Sequence, residues 1–183
     1  MDCIKCKTKS CRDTEPCHAQ KFDAEELILT YHLPENMKII QAAAQLVDKG
    51  RAGTLSRLQE VIEFSKSMNF KRIGVAYCYG MEMEAMLITS IFRKSGFKIY
   101  PVSCTTGGFK QSDVNSRSKI TKVSCNPLAQ AEQLNNESVD FTIAVGLCLG
   151  HDILFNKHIK SYTTTLIVKD RIHDHNPINA LKN

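Results

Sequence analysis

The sequence has no tryptophan, and aromatic residues make up only 7% of its 183 positions. It also has no apolar run close to the eighteen or so residues that a membrane span requires, so we expect no membrane insertion. The 24 lysine and arginine residues are scattered rather than arranged in stripes, and with so few aromatic side chains we expect no nucleic-acid binding. The chain opens Met1-Asp2-Cys3 without an apolar or arginine-rich leader, which favours a cytoplasmic location.

Cysteine, by contrast, is abundant at the start of the chain. Four of the eight cysteines fall within the first seventeen residues: Cys3, Cys6, Cys11 and Cys17. Four thiolates so close in sequence can saturate a tetrahedral metal ion or the corners of an iron–sulfur cluster. Disulfide pairing is the alternative, and it requires an oxidising compartment, which the absence of a leader argues against. We therefore predict that residues 1–20 form a metal-binding segment.

The spacing of these cysteines does not decide which metal they bind. One zinc-knuckle pair is present, Cys3 and Cys6, whereas Cys11 and Cys17 are too far apart for a second, and no common iron–sulfur spacing matches. A four-thiolate site carries a charge of about −2 with either Zn²⁺ or a +2 cubane, and interleaved basic residues would offset it. These residues are Lys5, Lys7, Lys9 and Arg12. We expect zinc, with a [4Fe-4S] cluster as the alternative.

The rest of the chain alternates strand-like and helix-like segments. Strands are predicted over residues 72–78, 97–103, 120–123, 139–146 and 163–168. Helices are predicted over residues 35–47, 55–68, 81–94 and 127–134, with a loop over 105–118. Strands separated by helices indicate βαβ units, so residues 21–183 are predicted to form a three-layer α/β domain with an open, mostly parallel sheet of the Rossmann or flavodoxin type.

The other four cysteines share a position relative to these strands. Each falls at the end of a predicted strand or one or two residues beyond it: Cys78, Cys104, Cys125 and Cys148. The carboxyl ends of parallel strands form the ligand-binding edge of an open sheet, so we expect a shared cofactor or substrate site there. The alternative is that each thiol is simply a small buried hydrophobe.

Two of these thiols have neighbours that suggest reactivity. Cys125 precedes Asn126-Pro127, which resembles a helix start, and the positive end of a helix dipole lowers the pKa of a nearby thiol. Cys148 is closely followed by His151, which could serve as a ligand, a general base or a helix cap. Cys125, Cys148 and His151 are therefore the predicted catalytic residues.

Two basic residues follow the last predicted strand. Lys169 and Arg171 should lie on the same sheet edge as the cysteines, where they could hold a small anionic ligand or balance thiolate charge. The alternative is a solvated exit loop. A nearby His173-x-His175 pair has the spacing of metal ligands, but two histidines in a terminal segment are weak evidence.

Several of these motifs together resemble one protein family. They are Cys3-x2-Cys6-x4-Cys11-x5-Cys17, Ile73–Cys78, Cys125–Asn135, Gly146–Asp152, and Lys169–Arg171 with His175–Pro177. This set resembles the DUF1847 family of small bacterial and archaeal proteins, which are catalogued as predicted metal-binding proteins. The loop Thr105–Gly108 lacks a lysine expected there, which weakens an anion site at that loop. The resemblance implies metal binding and no particular reaction.

Three kinds of function are consistent with these features. The first is a metal or iron–sulfur protein with an N-terminal four-cysteine site and a second, thiol-rich and redox-capable site at the sheet edge. The second is a thiol-dependent enzyme acting on a small anionic or sulfur-containing substrate. The third is an interaction protein whose N-terminal zinc knob binds a protein partner.

Overall fold

The structure, a computed structural model, describes residues 2–17 and 20–182. Residues 1, 18 and 19 of the predicted metal-binding segment, and residue 183, lie outside this described part. The chain divides into two compact units, Met1–Ala44 and Gln45–Asn183. The first unit contains the N-terminal cysteines and two helices, α1 (Ala24–Tyr31) and α2 (Pro34–Ala44). Helix α1 begins at Asp23, whose carboxylate accepts hydrogen bonds from the backbone N–H groups of Glu25 and Glu26.

The second unit is an α/β domain. Its strands are β1 (Arg72–Tyr77), β2 (Lys98–Ser103), β3 (Phe141–Val145) and β4 (Tyr162–Ile167). Its helices are α3 (Arg57–Ser67), α4 (Glu82–Lys94), α5 (Gln111–Val114), α6 (Pro127–Asn136) and α7 (His151–His158). In the described part of the chain, no helix is long and apolar enough to cross a membrane.

The four strands form one sheet in the order β2-β1-β3-β4, and every neighbouring pair is parallel. Side chains alternate between the two faces of a strand, and both faces of this sheet are covered. On one face Ile73 and Val75 pack with residues of α3 and α4, such as Val61 and Phe92. On the other face, Ala76 and Ala144 pack with residues of α6 and α7. These two cores confirm the predicted three-layer α/β architecture.

The ends of the helices follow capping chemistry that the sequence contains. Helix α3 begins at Ser56, whose hydroxyl accepts from the N–H of Gln59 while the Gln59 side chain accepts from the N–H of Ser56. Helix α6 begins after Asn126, whose side-chain oxygen accepts from the N–H of Ala129 at 3.1 Å, and Pro127 occupies its first position. Cys125 therefore stands directly before a capped helix.

One predicted strand is wrong. Within the described residues, the segment 120–123 does not join the sheet, and Val123 makes a single antiparallel bridge with Lys110 instead. Ile120 and Val123 are both more than half exposed, so this segment has no buried face for a sheet to cover. The sheet thus has four strands instead of five. The predicted loop 105–118 contains the short helix α5, and helices α1 and α7 were not predicted.

Candidate functional site

Four cysteines from separate segments meet at the carboxyl edge of the sheet. Cys78 follows β1, Cys104 follows β2, Cys148 lies shortly after β3, and Cys125 precedes α6; we refer to them together as the strand-edge cluster. The Sγ atoms of Cys104 and Cys125 are 3.4 Å apart, and Cys78 exchanges a hydrogen bond with Cys104. Cys78 and Cys104 are buried, whereas Cys125 and Cys148 are half-buried. The structure therefore brings the four predicted sheet-edge cysteines into one region.

The backbone beyond the strand ends fixes this arrangement. The N–H of Cys78 donates to the carbonyl of Val145 at 3.1 Å, and the N–H of Cys104 donates to the carbonyl of Tyr77 at 2.9 Å. The N–H of Asn126 in turn donates to the carbonyl of Cys104 at 2.7 Å. These bonds extend the hydrogen-bond pattern of the sheet past its last residues, so the cluster rests on rigid backbone.

Gln130, in helix α6, supports the same strand ends from one face of the sheet. Its side chain is fully buried, and its Nε2 donates to the carbonyls of Tyr77 at 3.1 Å and Val102 at 2.7 Å. Each of those carbonyls lies one or two residues before a cluster cysteine. Sequence reasoning missed Gln130, although a polar residue between the buried Pro127 and Leu134 on one helix face was a usable signal.

Positively charged groups contact the cluster from the end of β4. The Lys169 Nζ lies 3.5 Å from the Sγ of Cys78, and the Arg171 Nη2 lies 3.2 Å from the Sγ of Cys148. The backbone N–H of Tyr79 donates to the Sγ of Cys104 at 3.4 Å. Sulfurs surrounded by cations and N–H donors are stabilised as thiolates, the form that binds metals and attacks electrophiles.

The loop that carries Lys169 and Arg171 is held by Asp170. Its carboxylate accepts from the N–H groups of Ile172 at 3.0 Å and His173 at 3.1 Å, and its own N–H donates to the Nδ1 of His175 at 3.1 Å. The Nδ1 of His173 also lies 3.1 Å from Asp170 Oδ2. Both histidines of the His173-x-His175 pair thus contact Asp170 and shape this loop.

The thiols of the cluster differ in acidity. The pKa of Cys78 is lowered to about 5, chiefly by a hydrogen bond from Cys104. Burial opposes this shift, whereas the N–H of Gly80 and the Lys169 ammonium add to it. The pKa of Cys104 is raised, because its proton is shared with the Cys78 thiolate. Cys78 is therefore a thiolate at neutral pH.

The prediction that Cys125 carries the lowered pKa is wrong. Burial raises the pKa of Cys125, and its sulfur contacts Cys104 instead of the N–H groups at the start of helix α6. The Asn126 side chain already accepts from the N–H of Ala129. That N–H group is therefore not available to the Cys125 sulfur.

His151 occupies the first position of helix α7. Its backbone N–H donates to the carbonyl of Cys148 at 2.9 Å, and its Nδ1 is buried with no hydrogen-bond partner among the described residues. No hydrogen bond joins its ring to Cys125 or Cys148 in the part of the chain that the structure describes. The predicted general base therefore lies three residues after Cys148 and is bonded to its carbonyl through the backbone, but its ring is not paired with a thiol of the described residues.

The N-terminal cysteines lie in the other unit of the chain. Cys3, Cys6 and Cys11 are exposed and Cys17 is half-buried. The N–H of Lys9 donates to the Sγ of Cys6 at 3.4 Å, and this bond is the main cause of a lowered pKa for Cys6. Across residues 2–17 and 20–182, no three His, Cys, Asp or Glu side chains already form a group that could hold a metal ion.

Comparison with known proteins places this arrangement in a family. The sequence matches the family described as "Protein of unknown function (DUF1847)" over residues 15–166, which include Cys17 and all four cysteines of the strand-edge cluster. The chain belongs to the DUF1847 family. This confirms the resemblance that the motifs indicated.

A relative supports the same assignment along the whole chain. An uncharacterised protein of Methanocaldococcus jannaschii is 41% identical to this DUF1847 chain over 185 residues, covering 99% of the chain and 93% of the relative. No solved structure matches the chain. The function of this DUF1847 protein must therefore be argued from its own residues.

Proposed function

We propose that this DUF1847 protein is a metal–thiolate protein whose central site is the strand-edge cluster. The observation that carries the proposal is the convergence of four thiols, from four separate segments, where cations contact two of the sulfurs. Buried clusters of thiols without a metal, disulfide or chemical role are uncommon, because cysteine is easily oxidised. All eight cysteines of the chain are free, which supports a reducing, cytoplasmic environment.

The separation of the sulfurs is compatible with a shared metal ion. Two sulfurs of a tetrahedral zinc site lie about 3.8 Å apart, since each Zn–S bond is about 2.3 Å long. The Sγ atoms of Cys104 and Cys125 are already 3.4 Å apart. A cysteine sulfur moves by about 3 Å between staggered rotamers, so side-chain rotation alone is of the size needed to bring further sulfurs around one ion.

The charged side chains around the strand-edge cluster also fit a bound zinc ion or iron–sulfur centre of charge +2. Four thiolates with such a centre carry about −2, and Lys169 and Arg171 together supply two positive charges next to Cys78 and Cys148. The same sum holds for Zn²⁺ and for a +2 [4Fe-4S] cluster, which would add electron transfer to the site. Arg171 and Lys169 would therefore stabilise the loaded site without a bound anion.

We propose that Cys3, Cys6, Cys11 and Cys17 form a second metal site, with zinc as the first choice and a [4Fe-4S] cluster as the alternative. The Cys3-x2-Cys6 pair and the N–H bond from Lys9 to Cys6 support it, because backbone N–H groups stabilise metal-bound thiolates. We also assign the α/β unit to the flavodoxin-like class, supported by its strand order 2-1-3-4.

Replacing Cys6 or Cys11 with serine is expected to remove one metal equivalent per chain. The α/β unit should stay folded, because its two cores lie within residues 45–183. The measurement is elemental analysis after anaerobic purification, with circular dichroism to follow the fold. Ser10→Ala, in the same segment, is the matched control and should keep the full metal content. Unchanged metal content in both cysteine variants would argue against the N-terminal site.

A thiol-dependent enzyme is the second proposal, and the contacts of Cys78 favour it. The Lys169 ammonium is 3.5 Å from this sulfur, an arrangement that activates a nucleophile. The structure thus favours Cys78 as the nucleophile over the predicted Cys125 or Cys148. A small anionic or sulfur-containing substrate should then protect Cys78 from alkylation, and a set of such compounds that never protects it would count against this proposal.

A further inference from the structure

We infer that the strand-edge cluster also carries out thiol–disulfide exchange, with Cys104 and Cys125 as the reacting pair and carboxylated disulfides as the substrate class. The inference rests on the proposed function in one respect, since a bound metal would occupy both sulfurs and release of the metal would free them. It adds an activity to the site and a chemical class of substrate.

The geometry of the pair allows a disulfide without movement of the backbone. The two Sγ atoms are 3.4 Å apart, and the N–H of Asn126 donates to the carbonyl of Cys104 at 2.7 Å. Hydrogen-bonded neighbouring backbones lie about 5 Å apart. This is within the range of about 4.4 to 6.8 Å between the Cα atoms of disulfide-bonded cysteines. Rotation of the two side chains is then sufficient to form the bond.

The unequal exposure of the two thiols sets the order of the steps. Cys125 is half-buried and can meet a substrate, whereas Cys104 is 3% exposed. The Cys125 thiolate attacks one sulfur of a disulfide R–S–S–R, forming a mixed disulfide and releasing one RS⁻. Cys104, after passing its proton to the adjacent Cys78 thiolate, attacks the Cys125 sulfur and releases the second RS⁻. The protein loses two electrons and the substrate disulfide gains them.

The preference for carboxylated substrates follows from the charges at the cluster. Lys169 and Arg171 contact the sulfurs of Cys78 and Cys148, which flank the reacting pair. A disulfide bearing carboxylates would be attracted to these cations, and a disulfide bearing ammonium groups would be repelled. Arg171 in particular is exposed, so it can meet a carboxylate that arrives from solvent.

The test uses the full-length chain, freed of metal by anaerobic chelation and assayed at about pH 8.5, where thiol exchange is fast. The probe is dithiobis(nitrobenzoate), a disulfide with two carboxylates, and peptide mass mapping locates the products. We expect a Cys104–Cys125 disulfide in the natural sequence. In Cys104→Ser we expect a mixed disulfide that persists on Cys125. A persistent mixed disulfide on Cys125 of the natural sequence, or pairing of Cys104 with another cysteine, would overturn the inference.

The substrate class is tested by charge. Lys169→Gln and Arg171→Gln should each slow the reaction of Cys125 with dithiobis(nitrobenzoate) by about tenfold at low salt, and should not slow its reaction with cystamine, a disulfide with two ammonium groups. Lys66→Gln is the matched control, because Lys66 lies in α3 near the amino ends of the strands. Equal slowing with both disulfides would refute the carboxylate preference.

Failure of this inference can be told apart from failure of the proposed function. Zinc binding is measured separately, under reducing conditions and without any disulfide. If a chain with Cys3, Cys6, Cys11 and Cys17 replaced by serine binds zinc but Cys104 and Cys125 never pair, the exchange activity is refuted and the metal site at the strand-edge cluster stands. If the pair forms at the same rate with and without zinc, the metal site at the strand-edge cluster is refuted instead.

Discussion

Replacing Cys104 with serine is expected to weaken metal binding at the strand-edge cluster by about a hundredfold. Cys104 is the central thiol: its sulfur is 3.4 Å from that of Cys125, shares a hydrogen bond with Cys78, and accepts the N–H of Tyr79. Structural zinc sites bind with roughly 12 kcal/mol, so losing one of four thiolates should cost about 3 kcal/mol, a drop in affinity of about a hundredfold. The measurement is competition with a zinc chelator in the metal-free chain.

The matched control for this experiment is Ser103→Ala. Ser103 is the preceding residue, and its hydroxyl contacts Thr105 instead of a sulfur. Its zinc affinity should match that of the natural sequence. Without metal, both variants should have a melting temperature close to that of the natural sequence. This control separates the loss of a metal ligand from unfolding. An affinity in Cys104→Ser equal to that of the control would show that the cluster does not hold the metal.

In the metal-free chain, Cys78 is expected to ionise near pH 5, well below an ordinary thiol. At pH 6.5 more than about 90% of this residue would then be thiolate, against about 1% for a thiol with a pKa of 8.5. The ultraviolet absorbance of the thiolate should therefore fall by one equivalent at that pH in Cys78→Ser. Lys169→Met should shift the titration to higher pH, because the ammonium 3.5 Å away is lost.

The matched control is Cys125→Ser, since burial raises the pKa of Cys125 and this thiol should carry no charge at pH 6.5. Equal absorbance at pH 6.5 in Cys78→Ser and in the natural sequence would contradict the assignment of the thiolate.

The lowered pKa of Cys78 also makes the stability of the metal-free chain depend on pH. Because the pKa is lower in the folded state, its contribution to the free energy of unfolding is complete above the ordinary value of 9.0 and is lost as the pH falls towards about 5. The raised pKa of Cys104 acts in the opposite sense, and its contribution is lost as the pH rises above 9. In urea denaturation, the free energy of unfolding of Cys78→Ser should therefore lack the rise between pH 5 and pH 9 that this thiol gives the natural sequence.

Much of the fold could be predicted because its signals are local. The β-rich runs that became β1 and β3 are short, apolar and bounded by charged or glycine residues, and Asn126-Pro127 has the chemistry of a helix start. The positions of Cys78, Cys104 and Cys148 after strand ends followed from these assignments, whereas Cys125 was assigned to the end of a strand that does not form. The segment 120–123 failed because its apolar residues suggest a strand, while nothing local reveals that Val123 pairs with Lys110 at the surface.

The contacts within the cluster could not be predicted from sequence. Which sulfur touches which depends on the order of the strands, and that order is a property of the whole sheet. The helix-dipole rule gave the wrong acidic thiol, because Cys78 is stabilised by Cys104 and Lys169, which are distant in sequence. Lys169 and Arg171 were placed correctly at the cluster edge, since residues directly after a parallel strand must lie there.

The most direct test of the central claim is X-ray absorption spectroscopy on a chain in which Cys3, Cys6, Cys11 and Cys17 are all serine. Any metal that this variant retains after anaerobic purification must be held by the α/β unit. The account predicts one zinc ion, or one iron–sulfur cluster, per chain with a first shell of sulfur alone, at about 2.3 Å for zinc. A chain without bound metal, or a first shell of oxygen and nitrogen, would contradict the account.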